Sequence, residues 1–279
     1  MDKTSLGDRM KNNYENISRY YLTRRMPVII RIDGKVFHTF TKGFKKPFDD
    51  VLVKTMQDTM KYLCENIQGC VIGYTQSDEI SLVLTDYAEL TTDAWFGNNL
   101  QKMCSVSASM ATMAFNKFYR DNLDKWGFEN FPDPYEGLQT KPVSPMVMEQ
   151  ARIYMHNYDK AMFDSRVFTI PREEVCNYLI WRQQDATRNS IQSVGQANFN
   201  QKELHCKSCN DIQDMLMTQK DINWNDYPTT LKRGSCCIKT VIQDPDVDIK
   251  DGAYPISKWV IDNEIPIFTQ DRNYVERLI

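Results

Sequence analysis

The 279-residue chain lacks the features that mark several large classes of protein. It has no apolar run near the roughly 18 residues that a membrane span needs. Residues 1–11 are polar, unlike the hydrophobic segment of a secretory signal. No internal repeat or low-complexity tract is present. We therefore expect a cytoplasmic protein with no membrane partner.

The chain also has little net charge. Its 34 Lys and Arg residues against 37 Asp and Glu residues give −3, which argues against indiscriminate nucleic-acid binding but leaves room for a local basic face. Hydrophobic residues make up 42% and charged residues 25%, as in an average globular protein. The length predicts one or two domains.

Eight cysteines are present, most of them inside apolar stretches. Without an export signal, we expect reduced thiols. Cys206 and Cys209 form a Cys-x-x-Cys pair, but the adjacent Cys236 and Cys237 make a poor second pair for a tetrahedral zinc site. This pattern favours buried or surface thiols over a metal site.

The first part of the chain predicts alternating strands and helices. Pro27 to Ile32 is apolar and β-branched and stops at Asp33-Gly34, as a buried strand does. Asp49-Asp50 provides an acidic N-cap for a helix. The elements that follow are a hairpin of Cys70–Tyr74 and Asp78–Leu84, a helix over Trp95–Tyr119, a strand over Phe163–Ile170 and a helix from Pro171 through Trp181. The order βαββαβ predicts an α/β (α+β) fold with a ferredoxin-like sheet.

Two regions depart from this alternation. Asn122 to Pro145 holds four prolines, so we expect a loop or insertion near 122–150. From residue 191 to 279 the sequence is more polar and helical. We expect residues 1–190 to form one domain and residues 191–279 a mainly helical extension packed on it.

Acidic residues lie at the ends of two predicted strands. In the predicted topology the first and third strands are antiparallel neighbours, so Asp33 falls beside Asp78 and Glu79. Clustered carboxylates repel each other unless a cation neutralises them, and hard oxygen ligands favour Mg²⁺. Such a pair can hold two metal ions that act on a phosphate ester. The spacing alone equally allows a simple turn with solvated charges.

Basic residues surround the first of these acids. Gly34 lets a ligand approach the backbone closely. Lys35, His38, Lys42, Lys45 and Lys46 concentrate positive charge that a metal-bound phosphate would require. A solvated loop with a surface histidine is the alternative.

Three separated motifs carry a resemblance to a known family. They are Arg31-Ile32-Asp33-Gly34-Lys35-Val36-Phe37-His38 with Lys46-Pro47-Phe48-Asp49-Asp50, then Gln76-Ser77-Asp78-Glu79, then Phe163-Asp164-Ser165-Arg166-Val167 with Trp181-Arg182-Gln183-Gln184-Asp185. From Tyr14 to about Glu203 the chain resembles the tRNA-His guanylyltransferase family of 3′-to-5′ nucleotide-adding polymerases. The resemblance implies a palm-type catalytic domain, a GTP or ATP substrate, two Mg²⁺ ions, a tRNA partner and a homotetramer.

The resemblance also implies roles for single residues. Asp33, Asp78 and the carbonyl of Gly34 would bind Mg²⁺, with Glu79 as a further catalytic carboxylate. The residues expected around the nucleotide are Asp33, Gly34, Lys35, Val36, Phe37, His38, Lys46, Ser77 and Asp78.

One segment departs from the family pattern. Enzymes dedicated to tRNA-His carry His-Ile-Asn-Asn-Leu-Tyr-Asn after the Trp-Arg-Gln-x-Asp segment, whereas Thr187–Ser193 retains only Asn189 of it. In this the chain is similar to the bacterial and archaeal-like branch, which repairs 5′-truncated tRNAs. Repair of tRNA 5′ ends and addition of G to tRNA-His both stay open.

Two other functions and an RNA-binding face also stay open. A nucleotidyl cyclase-like enzyme would share the sheet and the paired acids, but its Gly-Gly-Asp-Glu-Phe signature is missing. A non-catalytic protein that binds tRNA or nucleotides would not require intact acids. Candidates for a tRNA-binding face, with scattered solvated charge as the alternative, are Arg182, Arg188, Lys202, Lys207, Lys232 and Arg233.

Overall fold

The computed structural model describes residues 5–131, 143–242 and 256–279. The strands are β1 (Val28–Gly34), β2 (Cys70–Gln76), β3 (Glu79–Leu84), β4 (Phe163–Thr169), β5 (Ser235–Ile242) and β6 (Ile256–Asp262). The helices are α1 (Leu6–Met10), α2 (Phe37–Phe40), α3 (Asp50–Asn66), α4 (Leu100–Asn130), α5 (Pro145–His156), α6 (Arg172–Asn198), α7 (Gln201–Leu204), α8 (Cys209–Lys220), α9 (Thr229–Arg233) and α10 (Asn273–Glu276). A π-helical turn over Lys11–Glu15 follows α1, and 3₁₀ turns span Trp95–Asn98 and Trp224–Asp226.

The strands form one antiparallel sheet in the order β4-β1-β3-β2-β5-β6. Its first four strands have the order that a βαββαβ chain adopts in the ferredoxin-like fold. The predicted α+β class is therefore confirmed. Strand β1 lies between β4 and β3, which places its last residues in the middle of one sheet edge.

Both faces of the sheet are covered. Because side chains alternate along a strand, Ile30 and Ile32 pack on the side of α3 and α4, whereas Ile29 packs with Leu179 of α6. Helix α3 begins where the sequence predicts, since the Asp49 side chain accepts the Leu52 N–H at 3.0 Å. These layers hold the ends of β1 and β3 in fixed positions.

Helices occupy both ends of segment 122–150, which the sequence predicts as a loop or insertion. Helix α4 continues to Asn130, and α5 begins at Pro145; residues 132–142 lie outside the described ranges. The four prolines begin only at Pro132, after the end of α4. Within the helix, Asn122 is buried. Its amide donates to Thr55 Oγ1 at 3.2 Å and to Asp58 Oδ2 at 3.1 Å, both on α3.

The C-terminal part contains the expected helices and, in addition, two strands that the sequence did not predict. Strand β5 pairs with β2, with Ile72 opposite Ile238, and β6 pairs with β5. Helix α6 has 27 residues and runs through position 190. The division into domains at that position stays a prediction. Within the described ranges, no helix is both long and apolar enough to cross a membrane.

Candidate active site

Strand pairing brings three acidic residues to one edge of the sheet. Asp33 and Glu79 are register partners in the β1–β3 ladder. Asp78 lies in the turn before β3, and its carbonyl oxygen accepts the Gly34 N–H at 3.0 Å. The three acids therefore lie together at this edge of the sheet, as the sequence predicts. Their chemical roles stay predictions.

Two arginines neutralise Asp33. Its Oδ2 atom lies 2.8 Å from Arg166 Nη1 on β4 and 3.3 Å from Arg31 Nη2 on β1. Both contacts go to the same oxygen. Within the described ranges, Asp33 Oδ1 accepts no hydrogen bond, so this oxygen is available to a cation.

Asp78 occupies a strained and half-buried turn. Ser77 has a φ of 51°, which is unusual for a residue other than glycine, and its hydroxyl donates to Asp78 Oδ1 at 3.1 Å. Burial raises the pKa of the Asp78 carboxyl, and the Asp33 charge adds to the increase, whereas hydrogen bonds and Arg31 oppose it. A bound cation would relieve both the burial and the repulsion.

Glu79 is buried and fully engaged by cations. Arg182 Nε and Nη2 lie 2.7 and 3.0 Å from its two oxygens, and Arg31 Nη2 lies 2.6 Å from Oε2. Burial raises the pKa of Glu79, and the charges of Arg182 and Arg31 oppose the increase. Glu79 therefore fixes Arg31, which in turn contacts Asp33.

The turn between β1 and α2 separates residues that the sequence analysis grouped together. Val36 and His38 are exposed, but the Phe37 side chain is buried and packs against Phe115 and Phe163. Phe37 still borders the cavity described below, and its expected place around a nucleotide stays a prediction. Gly34 is required here, since a Cβ would lie 2.3 Å from the Phe37 ring.

A cavity of about 500 Å³ opens at this edge of the sheet. Its volume lies within the range of small-molecule sites. One side is lined by Gly34, Val36, His38, Lys46, Ser77 and Asp78. Its opposite wall comes from α6 and α9. Lys35 does not line it and faces a neighbouring cleft instead.

The α6 wall was missed by sequence reasoning about the site. Asn189, Ser190 and Ser193 line the cavity, and the Trp224 indole donates to Ser190 Oγ at 3.0 Å. The signal that could have found them is the segment Thr187–Ser193, where the chain departs from the family pattern.

The suggested tRNA-binding arginines and lysines lie in different places. Arg182 is buried at 3% exposure and bound to Glu79, so its assignment to an RNA-binding surface is wrong. Arg188 is exposed, and Lys232 and Arg233 line the cavity wall. Lys202 and Lys207 are exposed on and just after α7.

The cysteines occupy core and surface positions. Cys236 and Cys237 are fully buried on β5. Cys206 is exposed, with its sulfur 3.1 Å from His205 Nδ1.

The donor atoms at the sheet edge suit a hard divalent cation. Two carboxylates and a backbone carbonyl are oxygen ligands of the kind that Mg²⁺ prefers. Burial raises the pKa of the Asp78 carboxyl, and a cation bound beside it would favour the charged form. Asp33, Asp78 and Gly34 therefore fit the metal that the family resemblance implies.

Comparison with known proteins agrees with this geometry. Residues 7–171, more than half of the chain, match the tRNAHis guanylyltransferase family. A bacterial tRNA(His) guanylyltransferase (Thg1)-like protein solved in complex with ATP superposes with a TM-score of 0.77 at 46% identity over 99% of both chains. A structure of such a protein with GTP gives a TM-score of 0.74 at 43% identity over 99% of both chains.

A curated relative extends the match to eukaryotes. The tRNA(His) guanylyltransferase of Saccharomyces cerevisiae is 26% identical over 222 residues, which are 75% of this chain and 80% of the yeast protein. With a family match over more than half of its length, this chain belongs to the tRNAHis guanylyltransferase family.

Proposed function

We propose that the protein is a nucleotidyltransferase that adds nucleotides to the 5′ end of tRNA. The observation that carries the proposal is the cavity of about 500 Å³ that opens directly beside Asp78 and Gly34. The similar bacterial proteins were solved with ATP and with GTP, which supports a nucleoside triphosphate as the occupant. The new bond would join the 3′-oxygen of that nucleotide to the 5′-phosphorus of the tRNA, with pyrophosphate or AMP leaving according to the activation of the end.

Asp33, Asp78 and the carbonyl of Gly34 would hold Mg²⁺, with two ions expected. When bound, the metal lowers the pKa of the attacking hydroxyl and neutralises developing phosphate charge. Arg31 and Arg166 orient Asp33 through Oδ2 alone, and Ser77 orients Asp78. Arg182 and Arg31 bind the carboxylate of Glu79. We therefore assign Glu79 the role of positioning Arg31, which contacts Asp33.

Cations on the cavity wall would hold the triphosphate. Lys46 lines the cavity near the acids, and Lys232 and Arg233 line it from α9; the His38 side chain lines it as well. Charged donors bind phosphate oxygens about twice as strongly as neutral ones do. The protein thereby aligns two substrates and needs no covalent intermediate.

The α6 wall supports repair of 5′-truncated tRNA over guanylylation restricted to tRNA-His. Asn189, Ser190 and Ser193 border the cavity, within the segment Thr187–Ser193 that departs from the pattern of the dedicated enzymes. We therefore assign the choice of substrate to this wall.

We further propose a cytoplasmic homotetramer. The family resemblance is the basis for four chains, and an interface between chains is supported by exposed apolar side chains near the N-terminus, where Leu6, Tyr14, Ile17 and Tyr20 are each between 66% and 71% exposed. Exposed apolar surface of this kind is typical of an interface between chains.

The test uses labelled nucleotides, Mg²⁺ and two substrates: a 5′-triphosphorylated tRNA lacking its first nucleotide, and tRNA-His. We expect template-matched addition to the truncated tRNA. Addition of G to tRNA-His alone would overturn the repair assignment. No addition to either substrate would overturn the proposed function in favour of a cyclase or a binding protein.

A further inference from the structure

A second cleft lies on the other side of α2 from the nucleotide cavity. Its volume is about 600 Å³, and it runs between the residues around α2 and helix α5. Four basic side chains line it, namely Lys35, Lys42, Arg152 and Lys160, against the single carboxylate of Glu149. In a chain of net charge −3, this cleft is a local concentration of positive charge.

Helix α5 is anchored firmly, so the cleft has fixed walls. The Tyr154 hydroxyl donates to Asp49 Oδ2 at 2.6 Å, and its ring packs edge-on against Phe44. Gly43, at φ 87°, lets the loop after α2 approach α5 so closely that an added Cβ would lie 3.0 Å from Ile153 Cδ1. Arg152 projects from α5, Lys35 and Lys42 lie in the turns on either side of α2, and Lys160 follows the turn after α5.

The charges of the cleft are little used within the protein. Arg152 contacts Glu149 at 3.5 Å, and Lys160 Nζ lies 3.2 Å from His156 Nε2. In the described ranges, no carboxylate oxygen lies within salt-bridge distance of Lys35, Lys42 or Lys160. These ammonium groups are available to an anion from outside.

The position of the cleft indicates which anion it takes. Lys35 directly follows the Asp33-Gly34 pair, and Val36 lines both the cleft and the nucleotide cavity. Of the cations in the cleft, Lys35 is the nearest in sequence to the acids, so a strand with its 5′-phosphorus at Asp33 and Asp78 would reach the cleft at Lys35. The Phe40 ring at the cleft is buried in the core and offers no face on which a base could stack; the exposed imidazole of His156 also lines the cleft.

We propose that this cleft binds consecutive backbone phosphates of the tRNA, next to its reacting 5′ end. The inference rests on the proposed function. Lysine and arginine contacts to phosphate give affinity and register without reading sequence, as an enzyme acting on the ends of several tRNAs would require.

The size of the effect follows from counterion release. Each phosphate contact contributes a slope of about 0.7 to 0.9 to the dependence of log Kd on log salt concentration. At about 0.1 M salt this amounts to roughly a five- to eightfold change in Kd per contact. Losing two contacts removes about 1.4 to 1.8 from the slope.

The experiment measures binding of a fluorescent 5′-truncated tRNA by anisotropy across a salt series. The variant is Lys42→Gln/Lys160→Gln, and the matched control is Lys125→Gln/Lys258→Gln, which removes two exposed lysines outside the cleft. We expect the cleft variant to bind tRNA more weakly and with the reduced slope, while the Kd for ATP without RNA stays that of the wild type. Each single variant should lose about half of the slope change.

Three results would overturn the proposal. A Kd and slope equal to those of the control would show that the cleft does not touch RNA. Equal weakening for tRNA and for free ATP would make the cleft a nucleotide subsite. An unchanged salt slope with weaker binding would indicate an indirect effect. If the wild type transfers no nucleotide to tRNA, the proposed function fails instead, so the two failures are distinguishable.

Discussion

Replacing Arg182 by Met removes the main partner of a buried carboxylate. Glu79 is 4% exposed and accepts two hydrogen bonds from Arg182, at 2.7 and 3.0 Å. Removing one member of a buried ion pair costs about 3–5 kcal/mol, because the remaining charge stays desolvated. Since Arg31 still contacts Glu79 at 2.6 Å, we expect Arg182→Met to lower the free energy of unfolding by the smaller figure, about 3 kcal/mol.

Urea unfolding at neutral pH measures this change, with Arg188→Met as the matched control. Arg188 pairs with Asp185, as Arg182 does, but its side chain is exposed. Its removal should cost no more than about 1 kcal/mol. The double variant Arg182→Met/Glu79→Gln should recover part of the loss, since no buried charge is left unpaired. A cost below about 1 kcal/mol for Arg182→Met would refute the reasoning, because burial of Glu79 would then not depend on this arginine.

Two further predictions concern the same edge of the sheet. Burial raises the pKa of Asp78, so its charged form destabilises the fold above that pKa. We expect Asp78→Asn to unfold at higher urea concentration than the wild type at neutral pH. The difference should shrink as pH falls, because the Asp78 carboxyl of the wild type then becomes protonated in both the folded and the unfolded protein. A variant less stable than the wild type at neutral pH would contradict this. Gly34→Ala places a Cβ 2.3 Å from the Phe37 ring and should lower the free energy of unfolding by about 1–3 kcal/mol. The control Gly127→Ala, where nothing lies within 4 Å of the new Cβ, should stabilise α4 by up to about 1 kcal/mol; equal effects of the two in urea unfolding would count against the close packing at Gly34.

The fold of the first four strands could be predicted because each element carries a local signal. Strand β1 is β-branched and buried, and α3 begins at an acidic N-cap that the structure retains. Strands β5 (SCCIKTVI) and β6 (ISKWVID) are also rich in β-branched residues, but the local pattern does not show which strand they pair with. Cys236 and Cys237 are buried through pairing with β2, a contact far away in the sequence.

The candidate site was predictable in part for the same reason. Asp33, Asp78 and Glu79 meet because the strand order dictates it. The partners of these acids were not predictable: Arg182 reaches Glu79 from α6, and Arg166 reaches Asp33 from β4. Sequence alone could not distinguish the buried Arg182 from the exposed Arg188, six residues later on the same helix.

The most direct test of the central claim is the single-turnover rate of nucleotide addition to a 5′-triphosphorylated, truncated tRNA. The proteins compared are the wild type, Asp33→Asn, Asp78→Asn and Asp121→Asn, the last removing an exposed carboxylate on α4. The account predicts that both site variants lose about a hundred- to a thousandfold in rate, with tRNA binding retained and the Asp121 variant unaffected. A rate within about tenfold of the wild type for either Asp33→Asn or Asp78→Asn, which is about 1.4 kcal/mol of barrier, would contradict it.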